Sequence, residues 1–91
     1  MEKQSYLICW LKESTGAVCY LHSDKKFYRI FISMRGCNLV TYKTRAQAEK
    51  KARTYAHNTD GIIIALESSA VEQMENDWRK DRRAVLLRYA V

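Results

Sequence analysis

Ser5-Tyr6-Leu7-Ile8-Cys9-Trp10-Leu11-Lys12 decides the fold. Its apolar residues alternate onto both sides of an extended chain. Tyr6, Ile8 and Trp10 point one way, and Leu7, Cys9 and Leu11 the other. A strand apolar on both sides is central in its sheet or covered on both faces. Glu13-Ser14-Thr15-Gly16 follows as a turn, and residues 17–22 return as a second strand. A four-residue hairpin loop pairs Cys19 with Trp10 and leaves Cys9 on the opposite face, so these two thiols do not bridge.

The pattern continues outward from this hairpin. Ser23-Asp24-Lys25-Lys26 reads as a turn, residues 27–34 as a third strand, Arg35-Gly36-Cys37-Asn38 as a turn, and Leu39-Val40-Thr41-Tyr42 as a short fourth strand. The period then changes. Thr44-Arg45-Ala46-Gln47 matches a capping box, and a helix over about 45–57 sets Ala48, Ala52, Tyr55 and Ala56 on one stripe. That stripe is small enough for close approach to a sheet. Asn58-Thr59-Asp60-Gly61 ends the helix. The β-branched run Ile62-Ile63-Ile64-Ala65-Leu66 reads as a buried strand.

Ser69-Ala70-Val71-Glu72 is a second capping box. The helix it opens, from about 70 to 82, carries Val71, Met74 and Trp78 on one face and a Glu75–Arg79 pair at i,i+4. Residues 84–91 hold two patterns. Leu87, Tyr89 and Val91 alternate as in a strand, whereas Val85 and Tyr89 continue the stripe of Trp78. The alternation predicts a terminal strand, with helix as the open alternative. The expected order is β-β-β-β-α-β-α-(β). It describes one α+β domain over residues 1–91, with an antiparallel sheet of about four to six strands and one or two helices packed on one face.

Composition limits the function. The chain has 91 residues, a formal net charge of +6, and 16 Lys and Arg against 10 Asp and Glu. A basic balance favours an anionic partner such as nucleic acid or an acidic protein surface. No apolar run approaches the roughly 18 residues that span a bilayer, and no secretory leader is read, so no membrane role is expected. Three unpatterned cysteines, Cys9, Cys19 and Cys37, fit reduced thiols and a cytoplasmic location.

No metal-ligand spacing or glycine-rich phosphate loop is present. Neither catalytic, metal nor cofactor residues are therefore assigned, and the chain is read as no enzyme. A small nuclease remains a second alternative, with His22 or His57 as general base, a second His or Glu as acid, and Lys or Arg holding the phosphate.

The basic clusters carry the stronger signal. Lys43, Arg45, Lys50, Lys51 and Arg53 gather on and before the first helix, and Arg79, Lys80, Arg82 and Arg83 on the second. Candidate partner contacts are Lys50, Lys51, Arg53, Arg79, Arg82 and Arg83. The same positions equally suit a solubilising helix surface. Ten aromatics, among them Tyr6, Trp10, Tyr20, Phe27, Tyr28 and Phe31, are either the core of a small sheet or stacking platforms on an open face. Core is the stronger reading for most of them.

The segment Tyr42-Lys43-Thr44-Arg45-Ala46-Gln47-Ala48-Glu49-Lys50-Lys51-Ala52 resembles a pattern in small bacteriophage and mobile-element proteins, some anti-CRISPR proteins among them. The resemblance covers about 11–15 residues and lies in a capped, alanine-faced helix docking on a sheet. It implies a non-enzymatic inhibitor that occludes a surface of a host protein or nucleoprotein complex, through an interface of roughly 800 Å² per partner. The alternative is a direct DNA- or RNA-binding domain using its basic helix faces. A monomer and a homodimer both fit, the latter through an uncovered sheet face or edge.

Overall fold

The structure is a computed structural model that describes residues 5–30, 32, 35–55 and 60–89. Four strands, β1 (Tyr6–Leu11), β2 (Val18–Leu21), β3 (Phe27–Tyr28) and β4 (Ile62–Glu67), form one antiparallel sheet in the order β3-β2-β1-β4. Among the described residues three helices accompany it: α1 (Arg45–Tyr55), α2 (Val71–Lys80) and α3 (Arg82–Tyr89). The class is α+β, as the sequence predicts.

The first hairpin has the expected register. Trp10 pairs with Cys19 and Cys9 with Tyr20, so the two thiols lie on opposite faces. β1 sits between β2 and β4 and is almost wholly buried. Its two apolar faces determine the layering. Leu7, Cys9 and Leu11 join Tyr20, Leu66, Val71, Met74, Trp78 and Val85 in one cluster, beneath α2 and α3. Ile8 joins Leu21 and Ala52 in a second, beneath α1, with Tyr42, Tyr55 and Ile63 packed around it. Helices therefore cover both faces, which corrects the expectation of helices on one face. A one-sided cover would leave Tyr6, Ile8 and Trp10 in water, at a cost of about 1.5–3 kcal/mol for each large apolar side chain.

Ala48 and Ala52 let α1 lie close on the sheet, and both are buried. The Thr44 hydroxyl accepts the Gln47 backbone N–H at 3.2 Å, as the first capping box requires. Helix residues expected beyond Tyr55, namely Ala56 and His57, lie outside the described residues, as do Asn58 and Thr59 of the expected helix end. Gly61 then carries the chain into β4 with φ +85°, against the β1–β2 turn. There the Asp60 carbonyl accepts the Trp10 indole N–H at 2.8 Å, and its carboxylate accepts the Ser14 N–H and hydroxyl.

Four further expectations are corrected. Among the described residues the third strand is short: β3 ends at Tyr28, and Arg29, Ile30 and Ile32 are not in it, while Phe31, Ser33 and Met34 lie outside the described residues. Residues 39–42 are not a strand. They wedge between the end of β2 and the start of β1 through the isolated bridges His22–Leu39 and Tyr6–Tyr42. Ser69 does not cap α2, whose N-cap is Ala70 without a side-chain bond. The chain instead turns through a 3-10 segment, Ser68–Ala70, pinned by the Ser68 and Ser5 side chains 2.6 Å apart.

The expected terminal strand is α3, with residues 90 and 91 outside the described residues. Asp81 turns extended at φ −156°, ends α2, and accepts the Ala84 N–H on its carboxylate at 3.2 Å to start α3. Burial of Val85 in the Trp78 cluster then outweighs the strand-like alternation of Leu87 and Tyr89. Leu87 is left 73% exposed.

Candidate partner-binding surface

The layering separates the six basic candidates. Lys50, Lys51 and Arg53 stand exposed on α1, away from its buried Ala48–Ala52 stripe. The Lys51 ammonium lies 5.7 Å from the Tyr55 ring centre. Arg79, Arg82 and Arg83 are exposed on α2 and α3, across the sheet from α1. Arg79 pairs with Glu75 at 3.7 Å, the expected i,i+4 pair. Arg82 is a structural clasp: its guanidinium donates to the Glu13 carbonyl at 3.0 Å and lies against Gly16. The two trios therefore do not merge into one cationic face.

The aromatic side chains are packed rather than displayed. Tyr20 is fully buried. Trp10 meets Phe27 edge-on at 5.5 Å, and Phe27 meets Tyr55 of α1 edge-on at 5.6 Å. Tyr28 stacks edge-on against His22 at 4.9 Å and donates its hydroxyl to Asp24, which pushes the phenol up to about 12. Phe31 lies outside the described residues. Of the described aromatics, Tyr20 and Trp78 are core, whereas Tyr6, Trp10, Phe27 and Tyr28 are half-buried.

His22 is also not where an exposed general base would stand. It is 1% exposed, with Nδ1 2.9 Å from the Tyr20 carbonyl and Nε2 3.2 Å from the Ile32 carbonyl. Both ring nitrogens are thus engaged with backbone. His57 lies outside the described residues. Burial pushes the Cys9 thiol up, with smaller contributions from Glu75 and Cys19. Among the described residues no group of three or more His, Cys, Asp or Glu side chains is placed to hold a metal. No helix there is long and apolar enough to cross a membrane.

A feature the sequence did not disclose is a groove of about 360 Å³ along the outer side of β4. Ile63 and Ala65 supply its apolar floor, Arg45 and Arg53 of α1 one wall, and Arg88 and Tyr89 of α3 the other. Among the described residues Glu49 is the single carboxylate lining it. Two of the guanidiniums are oriented from behind. Arg88 donates to Asp77 at 3.1 Å, and Arg45 lies 5.4 Å from the Tyr6 ring centre. Arg53 alone of these was a sequence candidate. Arg45 and Arg88 join it only because α1 and α3 flank the same edge, and that placement follows from strand order, which periodicity does not encode.

No protein-family model matches the chain, and neither a curated protein nor a solved structure gives a significant match.

Proposed function

We propose that this chain is a non-enzymatic binding protein that acts by occluding a surface of a larger protein or nucleoprotein complex, in the manner of small phage-type inhibitors. The observation that carries this reading is the cover on both faces of the sheet. Rings that would stack on bases are instead engaged within the fold: Tyr20 is buried, Trp10 meets Phe27 edge-on, and Phe27 meets Tyr55 of α1. Single-stranded nucleic acid needs open aromatic platforms beside a continuous basic track. Here the basic trios lie on opposite sides of the sheet, and α2 carries Glu72, Glu75 and Asp77 beside its Arg79 and Lys80. A protein partner suits such a mixed surface, in which the exposed arginines act as anchors.

The test is a mobility-shift titration against short single- and double-stranded DNA and RNA at two salt concentrations, beside affinity capture from a host lysate followed by reconstitution with the purified partner. The expected result is a stoichiometric protein complex and little affinity for naked nucleic acid. Tight binding to naked DNA or RNA, with log affinity falling linearly in log salt, would replace this reading with direct nucleic-acid binding.

A further inference from the structure

We infer that the outer edge of β4 takes an extended acidic segment of the partner protein as a fifth strand of the sheet. This deepens the protein-partner reading and rests on it.

The backbone supplies the first argument. β4 is the last strand in the order β3-β2-β1-β4, and among the described residues no strand or bridge pairs with its outer side. The Ser68 N–H donates to the Ser5 carbonyl at 2.9 Å, which makes residues 5 and 68 a hydrogen-bonded pair. Alternation along the register Tyr6–Glu67 to Leu11–Ile62 then turns the backbone groups of Ile62, Ile64 and Leu66 towards β1. Those of Ile63, Ala65 and Glu67 face outward. The opposite side of β1 has the complementary phase: the Tyr6 N–H reaches Tyr42 and the Lys12 N–H reaches Ala17, both at 2.9 Å.

Edges of this kind are normally blunted by lysine, proline, a bulge or a covering element. β4 reads Ile62-Ile63-Ile64-Ala65-Leu66-Glu67, without lysine or proline, and runs in unbroken register with β1. The groove beside it is open and apolar at its floor, as strand addition requires: main-chain bonds supply affinity and alternate side chains specificity.

Charge decides the occupant. Arg45, Arg53 and Arg88 line the groove with Glu49 as the one carboxylate among its described lining residues, and even with Asp77 engaging Arg88 the walls stay cationic. A second copy of the chain would bring the same guanidiniums against one another. An acidic strand meets them with opposite charge, which sets register and excludes basic competitors. The Tyr6 ring and Asp77 hold Arg45 and Arg88 in place beforehand, so less ordering is required on binding.

The experiment titrates the full chain, isotope-labelled, with a capped hexapeptide of alternating Val and Glu, and with its Val and Lys counterpart. Amide shifts, hydrogen exchange and sedimentation are measured. The Val–Glu peptide is expected to bind, slow exchange at Ile63, Ala65 and Glu67, and leave the Lys50–Lys51 surface unshifted. Ala65→Pro removes an outward N–H without touching the β1 ladder, a position where edge strands accept proline. It is expected to weaken binding at least tenfold. Should that variant fail to fold, Arg53→Glu on the exposed face of α1 decides, with the same tenfold loss expected.

Equal affinity for the Val–Lys peptide, shifts confined to other surfaces, or indifference to both substitutions overturns the inference. So does a dimer of the free protein with Ile63, Ala65 and Glu67 already protected. Any of these outcomes without nucleic-acid binding leaves the protein-partner reading standing. Salt-sensitive binding to naked nucleic acid removes both.

Discussion

The phenol of Tyr20 donates a 2.6 Å hydrogen bond to the carboxylate of Glu75, tying the middle of β2 to α2. Tyr20 has no exposed surface, and its ring is part of the cluster formed by Trp78, Met74 and Val85. Burial first, then Cys9 and the bond to Glu75, push the phenol well above its usual range, so it remains a donor at any pH at which the protein is handled.

Tyr20→Phe is therefore expected to cost more than a surface hydroxyl would. It leaves the half-buried Glu75 carboxylate without its donor, a loss of about 1.5–3 kcal/mol for a bond to a charged acceptor. Glu75→Gln keeps an acceptor oxygen and should lose less. Urea denaturation of the three proteins measures both. A Tyr20→Phe midpoint indistinguishable from the parent would mean that the bond contributes nothing net.

Gly61 offers a sharper contrast. A Cβ there would stand 1.9 Å from the Leu11 carbonyl oxygen and 2.9 Å from the Glu13 nitrogen, both backbone atoms, at φ +85°. Gly36 has a similar φ of +77° with nothing within 4 Å. Gly36→Ala thus isolates the left-handed strain, about 1–2 kcal/mol. Gly61→Ala adds a backbone collision and is expected to fall in the range above about 4 kcal/mol that marks severe lesions. Thermal unfolding should separate the pair by about 8 °C or more, taking about 4–8 °C per kcal/mol for a domain of this size. Equal losses would mean that the Asp60–Gly61 corner moves away from β1 without consequence.

Much of this architecture is legible in the sequence, for identifiable reasons. The double-sided apolar pattern of Tyr6–Leu11 announces a central strand, and the four-residue turn at 13–16 fixes the register that sets Trp10 opposite Cys19. The Val71–Met74–Trp78 stripe likewise marks the buried face of α2. Elements governed by competition are not legible. Leu39–Tyr42 has strand composition, yet its hydrogen bonds go partly to Leu21 and partly to Tyr6, so it bridges two strands without forming its own. Residues 84–91 fit two periods, and for those described only the space beside Trp78 chooses between them. The groove is hidden for a third reason. Its arginines come from positions 45, 53 and 88, brought together by β4 being an edge.

Asp81 is what divides α2 from α3, and its carboxylate accepts the Ala84 N–H. Asp81→Ala is expected to cost about 1 kcal/mol through the lost cap, whereas Asp81→Asn, which keeps a side-chain acceptor, should cost a few tenths. Thr44→Ala at the start of α1 removes the corresponding bond to Gln47 and should match Asp81→Ala in size. Guanidinium denaturation compares the three. Equal losses for Asp81→Ala and Asp81→Asn would show that the side-chain bond is not what holds α3 in place.

Asp77 supplies a pH dependence of defined sign. The Arg88 guanidinium at 3.1 Å, and then the Gln73 amide at 2.9 Å, hold its carboxyl below the ordinary value of 3.8. A carboxyl lowered by folding stabilises the folded state above its unfolded value and loses that contribution as pH falls through its folded value. Arg88→Met removes the cation while keeping much of the apolar stem. Its urea midpoint should lie below the parent's at pH 6, and the two should converge well below pH 3.8, where Asp77 is protonated in both. The carbon-detected titration of Asp77 should move upward towards 3.8 in the variant. Because both partners are solvent-accessible, added salt should narrow the gap at pH 6. A gap that persists undiminished at pH 2 would assign the effect of Arg88 to packing against α2 and not to its charge.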